Sequence, residues 1–64
     1  MTDITTRREQ ALKASIEIAH TLEVRTASKI TAHLLSAKVA EAEGDWEDAD
    51  AHVGTVEDIL AEMA

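Results

Sequence analysis

Gly44-Asp45-Trp46-Glu47-Asp48-Ala49, with Val53, Val56, Leu60 and Met63 behind it, is the stretch whose reading decides how this chain folds. Gly44 suits the left-handed backbone that terminates a helix, and Asp45 can accept from the unpaired amides that open the next one. Glu47 and Asp48 then put negative charge at the positive end of the new helix dipole. From there Trp46, Ala49, Val53, Val56, Leu60 and Met63 recur at alternating steps of three and four, which predicts a helix over 46–63 with one apolar seam. Gly54 lies off that seam, where glycine costs up to about 1 kcal/mol relative to alanine. A close approach by a partner backbone is the one reason the sequence suggests for it.

Upstream of Gly44 the spacing predicts a second helix over 26–43, with Thr26 or Ser28 as its cap. It carries two stripes: Ile30, Leu34 and Ala37 on one side, and Leu35, Val39 and Ala42 roughly 130–150° away. One neighbouring helix cannot cover both. A first helix over 3–22 has the recurrence Ile4, Ala11, Leu12, Ser15, Ile16, Ile18, Ala19 and Leu22, with Thr2 or Asp3 as cap and Thr6 with Glu9 as a later capping box. Val24 falls far from that stripe, and a seam carried from Ile16 to Ile30 would include Glu23. A turn or kink is therefore placed within Thr21–Thr26.

The segment Gly44 to Ala49, followed by Val53 and Val56 and preceded by the small residue Ala37, resembles the turn and second helix of a tetratricopeptide-type hairpin. In that family a glycine, an aromatic and an alanine at these spacings pack two helices closely. Valines stand where a later aromatic and an alanine are usual, and only one unit is present. The resemblance implies an antiparallel hairpin within residues 30 to 60 and no multi-repeat groove.

The chain is 64 residues long, and twelve of its hydrophobic residues are alanines. A core built from the seventeen larger apolar side chains is thin for one small domain, 1–64, so self-association is expected to complete it. Proline is absent, only two glycines occur, and helix formers dominate. The expected fold is all-α: a small three-helix bundle, or a helical hairpin with an extra N-terminal helix, completed by dimerisation.

Without cysteine there is neither a disulfide staple nor a thiolate metal site. No apolar run reaches the length of a membrane span, and Met1–Gln10 is too polar for a signal peptide, so a cytoplasmic protein is expected. The formal charge of -7 is unevenly held: residues 1–40 carry six bases and four acids, and residues 41–64 carry nine acids and no base. Direct nucleic-acid and membrane binding are excluded on that balance. The asymmetry suits a basic partner or the joining of two halves of a homo-oligomer.

Few residues suggest chemistry. Glu17 and His20 form an E-x-x-H pair of the kind that binds metal in helical bundles, but a single copy does not make a site. Asp48 and His52 stand one helical turn apart, and His33 is a further imidazole; no metal or other cofactor is expected. Ser15, Ser28 and Ser36 sit inside helical patterns, where their hydroxyls bond to the preceding turn, and no phosphate-cradling glycine loop occurs, so no enzyme is expected.

Trp46 reads first as a core anchor at the end of the hairpin and, alternatively, as an interface hot spot. The expected function is a small non-enzymatic helical interaction or assembly module. Leu35, Val39, Val53, Val56 and Leu60 are the expected oligomer interface, and Trp46, Asp50, Glu57, Asp58 and Glu62 the partner-binding residues. The alternative is an acidic inhibitor that mimics nucleic acid and binds a basic nucleic-acid-binding protein, as short phage or mobile-element proteins do.

Overall fold

The computed structural model describes residues 3–63. They form three packed helices, α1 (Ile4–Glu17), α2 (Val24–Glu43) and α3 (Trp46–Met63), and no strand occurs among the described residues. Asp3 caps α1 by accepting from the Thr6 amide at 2.7 Å. Thr2, the other expected cap, lies outside the described residues, and Thr6 and Glu9 fall inside α1 rather than at its entry.

The predicted turn between α1 and α2 exists, but it begins earlier than Thr21. α1 ends at Glu17, and a single 3₁₀ turn over Ala19–Thr21 follows. The Thr21 hydroxyl and amide both donate to the Ile18 carbonyl, at 2.8 and 2.9 Å, holding that turn by a local side-chain bond that competes with helix. Leu22 is then extended, and the bend lets it pack against Ala11, Ile30, Leu34 and Val56. Leu22 is partly buried in that position. α2 accordingly starts at Val24 after an uncapped Glu23, and the expected caps Thr26 and Ser28 lie inside it.

The turn read from Gly44 forms as the sequence dictates. Gly44 has φ 76° and ψ 13°, its amide donates to Glu41, and the Asp45 amide donates to Ala40 at 2.9 Å. This double bond pattern closes the end of α2 and needs a left-handed residue at Gly44. Asp45 then caps α3 by accepting from the Asp48 amide at 3.2 Å.

The core sits where the three helices meet. α1 contributes Ala11 and Ser15, α2 Ile30, Leu34, Ala37 and Ala40, and α3 Ala49, Val53 and Val56. Ala37, Ala40 and Ala49 lie on the buried faces of α2 and α3, where their small side chains let the two backbones approach. The α2–α3 hairpin has the most extensive packing of the fold, and α1 lies across it. Ser15 is tolerated inside because its hydroxyl donates to the Leu12 carbonyl at 2.7 Å.

The seam of α3 is buried at its centre and open at its ends. Trp46 is 53% exposed, so its reading as a core anchor is corrected. It is the first residue of α3, at the rim of the turn.

Candidate interaction surface

α2 shows both stripes that its sequence contains. Ile30, Leu34 and Ala37 face inward, while Leu35 and Val39 stand 60% and 58% exposed on the far side. α1 has an exposed apolar edge as well, with Leu12 at 43% and Ile16 at 64%. Between them an open groove of about 310 Å³ is lined by Leu12, Ile16, Leu22, Leu34 and Leu35, with Lys38 at its rim. The surface continues toward the start of α2 through the uncharged residues Ala19, Val24, Ala32 and Leu35. Helices with apolar residues on two sides need two coverings, and the chain supplies one of them.

The structure divides the expected interface residues into two sets. Leu35 and Val39 are outside, whereas Val53 and Val56 are fully buried in this chain's own core, with Leu60 packed at its edge. Periodicity identifies a seam without saying which helix covers it, and α1 and α2 of the same chain cover this one.

The expected partner-binding acids divide similarly. Arg7 grips Glu57 with two nitrogens, at 2.6 and 3.1 Å, and Asp50 with a third at 2.6 Å. The hydrogen bonds to Glu57 and then to Asp50 raise the Arg7 pKa above its ordinary value, so it stays charged. Asp50 and Glu57 thus secure α1 to α3, while Asp58 and Glu62 remain exposed.

A second cation, Arg8, pairs with Glu41 near the end of α2, and the Thr5 hydroxyl donates to the same carboxylate. Burial pushes the Glu41 carboxyl up, but the bonds from Thr5 and Arg8 prevail and leave it below the usual range. A carboxylate near a helix C-terminus is otherwise disfavoured by the dipole. The uneven charge of the sequence is therefore spent in part inside the fold, with the basic start of α1 binding acids of α2 and α3.

One pairing went unread in the sequence. His33 and His52 meet across α2 and α3 with their Nδ1 atoms 2.9 Å apart, and Asp48 lies 3.6 Å from the other nitrogen of His52. Nineteen residues separate the histidines, so only the docking of α2 on α3 brings them together. Glu17 and His20, by contrast, do not share a helix: Glu17 ends α1, His20 lies in the 3₁₀ turn, and both are exposed. Among the described residues no group of three or more His, Asp or Glu side chains is placed to hold a metal ion. No described helix is long and apolar enough to cross a membrane.

No protein-family model, curated protein or solved structure matches this chain.

Proposed function

We propose that the protein is a non-enzymatic helical assembly module that associates with further copies of itself through the exposed side of α1 and α2. One observation carries this reading. Leu12, Ile16, Leu35 and Val39 are all more than two-fifths exposed on a single side of a domain whose buried core is small. A second copy would remove that surface from water and supply the burial that so short a chain lacks. The internal pairing of Asp50 and Glu57 with Arg7 supports a role for these acids in folding before any role in binding a basic protein.

The test is sedimentation of the full chain at micromolar concentration, beside a Leu35→Asp/Val39→Asp variant. The expected result is a defined oligomer for the native chain and a monomer of unchanged helicity for the variant, because both substituted residues lie outside the core. A compact native monomer overturns the proposal.

A further inference from the structure

α2 spans twenty residues, from Val24 to Glu43, or about 30 Å. At about 100° per residue, its outward arc of roughly 100° holds Val24, Ser28, Thr31, Ala32, Leu35, Val39 and Ala42. All seven are exposed, and none carries charge. Ser28, Ala32, Leu35, Val39 and Ala42 alternate steps of four and three, the spacing of a seam that meets another helix. Charge resumes at the borders of the arc, with Lys38 on the α1 side and Arg25 and Glu43 on the α3 side. Neither Arg25 nor Glu43 has an ion-pair partner among the described residues.

From these placements we infer that two copies of this chain pair through α2, antiparallel, about a two-fold axis at Leu35, with Arg25 of each copy against Glu43 of the other. The inference rests on the self-association proposed above and specifies its geometry. Three features select the second copy as occupant and this register as its position.

The first is size. With Leu35 on the axis, Val39 falls opposite Ala32 of the second copy and Ala42 opposite Ser28. Leu35 meets Leu35 on the axis, and on either side of it Val39 and Ala42 each meet a small residue, which allows helix axes to approach to about 8–10 Å. The second is charge. In an antiparallel pair, like borders face each other, so Arg25 and Glu43, which share one border, become cross-partners. Arg25 stands ten positions before Leu35 and Glu43 eight after it, an axial offset of only about 3 Å. A parallel pair sets opposite borders against each other, so Arg25 and Glu43, eighteen positions apart on one border, would not meet. The third is continuity, because the two-fold sets the α1 helices on the same side of the pair, where Leu12 and Ile16 of each copy extend the contact. The isologous arrangement closes on itself and leaves no open end for a filament.

The chain has no cysteine, so single cysteines report this geometry directly. Leu35→Cys, Ser28→Cys and Ala42→Cys all alter exposed positions and are treated with a short bismaleimide crosslinker. Leu35→Cys is expected to link to itself, Ser28→Cys is not, and a mixture of Ser28→Cys with Ala42→Cys is expected to give the mixed dimer. Two Ser28 residues would lie about 21 Å apart along the axis in this register. Arg25→Glu should weaken the dimer about tenfold, since two like-charge contacts replace two pairs, and Arg25→Glu/Glu43→Arg should recover it. If the native chain sediments as a dimer while Leu35→Cys stays unlinked or Ser28→Cys links to itself, the antiparallel pairing is overturned and self-association stands. A native monomer overturns both.

Discussion

Gly44 and Gly54, the two glycines, differ in what an added methyl group would meet. At Gly44 a side chain would find space, but the left-handed φ of 76° penalises any L residue. Gly44→Ala is therefore expected to destabilise by about 1–2 kcal/mol. Gly54 lies inside α3 with helical backbone, and an added Cβ meets nothing within 4 Å. Gly54→Ala should stabilise by up to about 1 kcal/mol, and urea titrations of the two variants are expected to move in opposite directions. No close backbone approach within the chain accounts for Gly54. Val56 presents a third case: it is fully buried, and Val56→Asp places an unpaired charge among Ala11, Ile30 and Leu34. A loss of several kcal/mol is expected, enough to abolish the helical circular dichroism of so small a domain.

Among the elements, α1 is the one tied to both of its neighbours by ion pairs. Its apolar residues Leu12 and Ile16 point away from the core, and Arg7 and Arg8 bind it to α3 and α2. Arg7→Gln is expected to cost only about 0.5–1 kcal/mol, since Asp50 and Glu57 are solvent-accessible, yet to speed hydrogen exchange in α1 more than in α3. Asp3 and Glu41 add a dependence on pH. The Thr6 amide and then the Thr6 side chain hold Asp3 below the ordinary carboxylate range, and Thr5 and Arg8 hold Glu41 below it against the effect of burial. A carboxylate depressed in the folded state stabilises fully above its unfolded pKa and ceases to do so as pH falls through its folded value. Stability should thus decline below about pH 4, and Glu41→Gln should flatten that decline in thermal unfolding measured from pH 7 to pH 2.

At the scale of the whole molecule, the thin core and the open side of α1 and α2 belong together. A domain that buries Ala37, Ala40 and Ala49 gains close helix packing but little apolar area per residue. If a second copy supplies the missing burial, stability must depend on concentration, because binding to the folded state alone shifts unfolding by mass action. The unfolding midpoint is expected to rise across a hundredfold increase in protein concentration, and the Leu35→Asp/Val39→Asp variant should lose that dependence. A midpoint independent of concentration in the native chain would count against self-association.

By itself, the sequence determined the helical class, the Gly44–Asp45 turn, the bounds of α3 and the two stripes of α2. Each of these follows from local rules: a left-handed glycine, a capping carboxylate, and apolar spacing read against a fixed helical period. Tertiary structure alone decided which stripe is covered, and by what. It buried Val53 and Val56 within the chain, left Trp46 at the rim, ended α1 at Glu17 so that Leu22 could turn inward, engaged Asp50 and Glu57 with Arg7, and brought His33 to His52. These outcomes depend on how three helices dock, and docking depends on contacts between residues far apart in the chain, where local periodicity is silent.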